Sequence, residues 1–349
     1  MPNLVVLTEQ LLAPVPGGTG RYTRELAAAL AATAPDGWEV TGVVSRQADV
    51  SAAVIPGVSG PRVLPLPRRA LIAAWEHGVP YWPGGDAVHA PTPLAPPRGR
   101  VVVTVHDVVP WTHPETLTAR GVTWHRKVIS RAVSRASAIV VPTAAVADEL
   151  RRYAPGPVPV RVVHNGVTEF GAEEAVPGLP PRYVLAVGTI EPRKGFEALV
   201  AATAEVDVPL VVVGPQGWGG VDLRAPHVRL LGRLSDPQLA HVLRRAAVLA
   251  APSLAEGFGL PVVEAMAAGV PVVHSDAPAL VEVGGGAGLV VPRGDQPALV
   301  RALRSVLAEA GVADRMVASG LARAQHFTWM NAAREVWATH LSLGRPRPV

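Results

Sequence analysis

Ten short runs of β-branched and aliphatic residues constrain this chain more than any other feature; they lie at 5–7, 40–44, 101–105, 139–141, 160–163, 184–187, 210–213, 248–251, 270–273 and 289–291. Most are continuous rather than alternating, which is the pattern of strands covered on both faces. Helical stretches separate many of them, as at 21–33, where Tyr22, Leu26, Ala29, Leu30 and Thr33 share one stripe. Strand and helix therefore alternate, and parallel α/β sheets are expected. At 349 residues the chain has length for about two domains. A segment dense in Gly, Pro and Glu, 171–181, precedes a fresh strand and reads as the linker between them. The expected fold is α/β, two doubly wound Rossmann-like domains facing a central cleft, with ligands outside the carboxyl ends of the strands. The expected ranges are 1–170, 171–181, 182–328 and a terminal segment 329–349.

Composition removes several kinds of chemistry. The chain has no cysteine, so disulfides, thiolate metal sites and thiol nucleophiles are all excluded. The formal charge of +4 arises entirely within residues 1–170, yet no basic run with interleaved aromatics occurs, and a nucleic-acid partner is not expected. Neither a signal-peptide pattern at the start nor an apolar stretch of about 18 residues is present, so the expected location is cytoplasmic. No Asp-x-Asp occurs, and no metal clamp or other cofactor is indicated.

The chemistry-bearing segments follow strands. After 184–187 comes Gly188-Thr189-Ile190-Glu191-Pro192-Arg193-Lys194-Gly195. Arg193 offers a planar fork and Lys194 a point charge, a pair suited to a diphosphate, although an isolated basic pair is more commonly a solvated loop. After 248–251 comes Glu256-Gly257-Phe258-Gly259-Leu260-Pro261, continuing to Glu264 and Gly269. Pro261 suits the first turn of a helix that Gly269 can end, leaving the Gly257 to Leu260 amides near a helix N-terminus, where phosphate binds well. Glu256 and Glu264 would repel that phosphate and so are expected to accept hydrogen bonds from sugar hydroxyls. The plain alternatives are a solvated loop acid and a first-turn glutamate favoured by the helix dipole. Glycines around 214–217 and the Gly232-Arg233 pair could receive a planar base, or simply turn the chain. In the first half, Pro16-Gly17-Gly18-Thr19-Gly20 opens a helix, and His106-Asp107 follows the 101–105 run.

Taken in order, Gly17 to Tyr22, His106-Asp107, the Gly188 to Gly195 segment and the Glu256 to Glu264 segment resemble the successive motifs of the retaining glycosyltransferases of family 4, which have the GT-B fold. The resemblance implies that Arg193 and Lys194 bind the donor diphosphate and stabilise it as leaving group. It implies that the backbone of Phe258, Gly259 and Leu260 holds the same phosphates, Glu264 the ribose and Glu256 the transferred sugar. Gly18 would approach the donor phosphate, and His106 would face donor sugar and acceptor. The segment from Phe327 onward resembles the family's last helix, which crosses back to the first domain. The Gly-Thr-Ile-Glu-Pro-Arg-Lys form is closest to mannosyltransferases of polysaccharide synthesis. The expected reaction is therefore metal-independent transfer of a hexose, mannose favoured, from GDP-mannose or another nucleotide sugar to a hydroxyl of a saccharide, lipid-linked or small-molecule acceptor. Competing readings are a sugar-nucleotide-binding protein without turnover and another GT-B enzyme, such as a sugar-nucleotide epimerase. For the stretch from Trp124 to Arg135, contact with an anionic membrane surface competes with an ordinary solvated helix face.

Overall fold

In the computed structural model, which describes residues 1–168 and 170–343, all ten apolar runs enter strands of two entirely parallel sheets. The first sheet holds β1 (Asn3–Leu7), β2 (Glu39–Arg46), β3 (Ser59–Pro67), β4 (Ala87–Ala90), β5 (Val101–Thr104), β6 (Ala138–Val141) and β7 (Val160–Val162) in the order β3-β2-β1-β4-β5-β6-β7. The second holds β8 (Val184–Val187), β9 (Leu210–Val213), β10 (Val228–Gly232), β11 (Val248–Ala251), β12 (Val272–Ser275) and β13 (Leu289–Val291) in the order β10-β9-β8-β11-β12-β13. Strand order reverses beside β1 and again beside β8. In doubly wound sheets the crevice that receives ligands opens at the carboxyl ends next to such a reversal.

Three strands fall outside the apolar runs. β3 carries Pro61, Pro65 and Pro67, residues that remove ladder donors, and it lies at a sheet edge where those donors are dispensable. β4 is only Ala-Val-His-Ala, and β10 is an edge strand broken by Arg229. The run at 270–273 also shifts, because the strand begins at Val272, after Pro271. Central strands behave as their composition demands. Leu4, Val5 and Val6 are wholly buried, each contributing about 1.5–3 kcal/mol by leaving water.

The chain divides into two units. One comprises Met1–Thr112, Ala119–Gly166 and Thr328–Val349, and the other His113–Thr118 and Val167–Phe327. The Pro- and Gly-rich stretch at 171–181 belongs to the second, where Glu173 pairs with Arg244 at 3.1 Å and also with Arg245. The helix Trp329–Ser342 belongs to the first unit and packs on the helix Gly17–Ala32; the Trp337 indole donates to the Leu30 carbonyl at 3.0 Å. Residues 344–349 of the expected terminal segment lie outside the described residues.

That contact closes a buried polar cluster in the first unit. Tyr22 Oη and Thr104 Oγ1 lie 2.9 Å apart, Thr104 Oγ1 is 3.3 Å from His89 Nε2, and the His89 ring meets the His340 ring edge-on at 5.6 Å. Both histidines are wholly buried. Burial pushes the His89 imidazole down to about 3, with the neighbouring His106 imidazole adding to the effect. Burial, His89 and Arg100 together hold His340 well below the usual imidazole range. Such groups fold neutral while the unfolded chain takes up protons below about pH 6.5, so stability is complete above that value and falls with the pH. For His89 the loss amounts to about 2 kcal/mol between pH 7.5 and 5. Urea unfolding should accordingly show a lower midpoint at pH 5 than at pH 7.5, and His340→Leu should flatten the dependence; equal midpoints in the native chain would contradict this account.

Candidate functional site

Strands β8 and β11 are neighbours at the reversal of the second sheet, so the loops leaving their carboxyl ends emerge side by side. The β8 loop makes a single 3-10 turn, Pro192–Lys194, which Gly195 ends in the left-handed conformation at φ 65°. The β11 loop runs through Ser253, Glu256 and Phe258 into the helix Leu260–Ala267. Main-chain and side-chain bonds join the two. Leu254 N donates to the Arg193 carbonyl at 2.8 Å, and Arg193 Nη1 donates to the Ala255 carbonyl at 2.7 Å.

Around these bonds sits a cluster of four charges. Arg193 Nη2 reaches Glu191 Oε1 at 2.6 Å and Nη1 reaches Glu256 Oε2 at 3.2 Å, while Lys194 Nζ lies 2.5 Å from Glu256 Oε1. Ser253 Oγ also donates to Glu256 Oε1, at 2.8 Å. All four side chains are at most 16 % exposed. Glu256, expected from the sequence to read sugar hydroxyls, is bonded here to both cations. The reason is electrostatic, since two adjacent cations withdrawn from water must be compensated by a nearby carboxylate. Burial pushes the Glu256 carboxyl up, but the Lys194 and Arg193 charges and the Lys194 and Ser253 hydrogen bonds outweigh it and hold it at about 2. Glu191 and Ser253 complete the cluster and were not singled out from sequence. Glu191 lies within the quoted motif, but nothing in the motif foretells its burial at 2 % exposure.

The remaining residues of the second unit follow the loop. Phe258 is buried at 4 % and its ring meets Phe327 edge-on at 5.4 Å, which anchors the loop while the backbone turns toward the helix. Gly259 is the N-cap at φ 89°, and a Cβ there would lie 2.4 Å from Leu280 Cδ2. Leu260 starts the helix with Pro261 behind it, and Glu264 is buried one turn further on at 4 %. Gly232 ends β10, two strands away from β8, where a Cβ would meet nothing within 4 Å, and Arg233 beside it is exposed. Gly214, by contrast, serves the backbone, since a Cβ would fall 1.9 Å from the Gly188 carbonyl oxygen.

His106 and Gly18 belong to the first unit. Gly18 is exposed in the first turn of the helix Gly17–Ala32. His106 follows β5, with Nε2 2.8 Å from the Pro91 carbonyl oxygen and its ring edge-on to Tyr22 at 4.6 Å. A carbonyl only accepts, so Nε2 carries the proton and Nδ1 presents a lone pair. Burial lowers the His106 pKa, opposed by the Pro91 bond and the Asp107 charge, which favours this neutral form. In the helix Ala119–Arg135 three basic residues are engaged locally: Arg126 donates to the Pro110 carbonyl, Arg131 to that of Trp75, and Lys127 pairs with Glu76 at 3.7 Å. Among the described residues no helix is long and apolar enough to cross a membrane.

Two family models match the chain in succession, Glycosyltransferase Family 4 over residues 16–169 and Glycosyl transferases group 1 over 181–309. The chain is 31 % identical to a phosphatidyl-myo-inositol mannosyltransferase of Mycobacterium leprae, covering 92 % of each sequence. It is 30 % identical to O-antigen chain mannosyltransferase B of Escherichia coli over 71 % of this chain and 72 % of that protein. Among solved structures, sucrose-phosphate synthase of Thermosynechococcus elongatus has the same fold, with a TM-score of 0.78 at 23 % identity over 98 % of this chain and 99 % of that one. Anabaena HepE, solved in complex with UDP and glucose, gives 0.74 at 19 % identity over 98 % and 100 %.

The cluster generates a stability prediction. Glu256→Ala leaves two poorly solvated cations without their shared carboxylate, and breaking such a pair costs about 3–5 kcal/mol. Denaturant unfolding of the variant should show a loss of that order, and Glu256→Gln, which keeps a hydrogen-bond acceptor, a smaller one. Full native stability in the alanine variant would remove Glu256 from its role in joining the loops.

Proposed function

Because the chain belongs to the family 4 glycosyltransferases, with the GT-B pair of Rossmann-like domains, we propose that it moves a hexosyl group, mannose foremost, from a nucleoside-diphosphate sugar to an acceptor hydroxyl with retention of anomeric configuration. The observation that carries this reading is the junction of the two loops at the β8/β11 reversal. There a guanidinium, an ammonium and the N-terminus of an eight-residue helix are collected within two short segments. Each favours a developing negative charge, and together they suit a diphosphate that must accumulate charge as it departs. Mannosyltransferases among the relatives support the choice of sugar.

The chain's own groups then divide the work. Lys194 exchanges its bond to Glu256 for a phosphate oxygen, while Arg193 keeps its anchor on Glu191 and turns its second nitrogen to the ligand. The released Glu256 carboxylate accepts from the transferred sugar, and Glu264 from the ribose. The backbone around Phe258, Gly259 and Leu260 takes the phosphates; Gly18 and the Gly232-Arg233 pair contribute to the donor from their own loops. In the reaction the bond from the anomeric carbon to the phosphate oxygen breaks, the acceptor oxygen bonds to that carbon on the same face, and the acceptor proton passes to the departing phosphate. The neutral His106, with Nδ1 as acceptor, orients a hydroxyl without adding positive charge. Neither a metal nor another cofactor enters this scheme.

The test is release of nucleoside diphosphate from GDP-mannose and a panel of other nucleotide sugars, with acceptors present. Lys194→Gln should lower kcat about 10²–10³-fold, the usual consequence of removing one stabilising donor at a departing anion, with the circular dichroism spectrum unchanged. An undiminished rate in a folded variant would overturn the proposed role, and an epimerised but intact donor would replace transfer by epimerisation.

A further inference from the structure

Two buried serines link the charge cluster of the second unit to β12, the strand that pairs with β11 on the side away from β8. Ser253, in the loop after β11, is 2 % exposed, and Ser275, the last residue of β12, is wholly buried. A carbonyl only accepts, so the single proton of Ser275 Oγ goes to the Ser253 carbonyl oxygen, 2.5 Å away, while Ser275 Oγ itself accepts from Ala277 N at 3.4 Å. An ionised carboxylate also only accepts, so the Ser253 hydroxyl gives its proton to Glu256 Oε1 at 2.8 Å. The peptide group between Ser253 and Leu254 is held at both ends, because its N–H, on Leu254, donates to the Arg193 carbonyl at 2.8 Å. Such a group is planar, so one bond from β12 and one from the β8 loop fix the plane on which Ser253 is mounted.

The donors to Glu256 differ in how a ligand affects them. Lys194 and Arg193 are cations, and a diphosphate draws both away from the carboxylate. Ser253 is neutral, so it gains little by turning to a phosphate, and its backbone is tied to the loops on either side. Its hydrogen bond, strengthened by the charge of the acceptor, therefore survives the exchange. This matters because the Glu256 side chain is only 12 % exposed, and a carboxylate that lost every donor there would be left as a poorly solvated charge. With Ser253 in place, Oε1 keeps one lone pair engaged and frees the one that Lys194 releases, which is what a sugar hydroxyl needs as an acceptor. We propose that Ser253 and Ser275 are positioning residues that keep Glu256 aimed at the transferred sugar once the cations have turned to the diphosphate. This role rests on the glycosyl-transfer reading, within which it assigns the hold on Glu256 to β12. The plainer alternative is that both serines only satisfy buried acceptors and support the loops; that role would affect a bare nucleotide and a nucleotide sugar alike.

The experiment is calorimetric titration of the full chain with GDP-mannose, GDP, UDP-glucose and UDP, each nucleotide sugar being compared with its own bare nucleotide. In Ser253→Ala the nucleotide sugar that binds the native chain should bind about tenfold more weakly, while its nucleotide stays within about twofold of its native affinity. Ser275→Ala keeps the hydroxyl of Ser253 but removes its mount, and should show the same selective loss at about threefold. Ser253→Cys keeps the size of the side chain with only a weak donor; it should behave like the alanine variant and covers the case in which alanine prevents folding. A loss shared equally by nucleotide and nucleotide sugar would make the serines supports of the phosphate-binding loops and overturn the proposal. Native affinities in both Ser253 variants would overturn it as well. Binding of none of the four ligands to the native chain is the separate outcome that refutes the glycosyl-transfer reading, and the positioning role falls with it.

Discussion

The second unit is organised around the compensation of two cations by two carboxylates. Arg193 and Lys194 sit in one loop and Glu256 in another, so neutralising the charges is the same act as joining the loops. Glu191, buried beside them, fixes one side of the guanidinium, and Ser253 fixes the carboxylate that the cations share. Because these contacts are shielded from water, they are stronger than their surface equivalents, and a dianionic ligand can compete only by offering more charge at comparable distances. The arrangement is therefore held in place before any ligand arrives, while retaining bonds that can be exchanged.

The sheet architecture was legible because a buried parallel strand announces itself as an uninterrupted apolar run. Strands that escaped notice were those for which burial asks less of the sequence. β3 tolerates three prolines at its edge, and β4 places His89 in the interior, where its polarity is accommodated by Thr104. Within the site, the basic pair and the Glu-x7-Glu segment were readable as local patterns. The bonding of Glu256 to both cations was not, since it depends on residues 62 and 63 apart in the chain meeting at the β8/β11 reversal.

The two halves use their buried polar groups in opposite ways. In the second, opposite charges are paired with one another across two loops. In the first, His89 and His340 are kept neutral among aromatic neighbours, and His106 is fixed in one tautomer by the Pro91 carbonyl. One half thus holds its buried polar groups as paired charges and the other as neutral rings.

The packing of Trp337 over Leu30 bears on how the chain is made. On a ribosome, residues leave in order at about 5–20 per second, and domains whose segments are contiguous tend to acquire structure as they emerge. The first unit is not contiguous, for its last helix follows the whole of the second. The surface that this helix covers on the helix Gly17–Ala32 therefore stays bare until the whole of the second unit has been made.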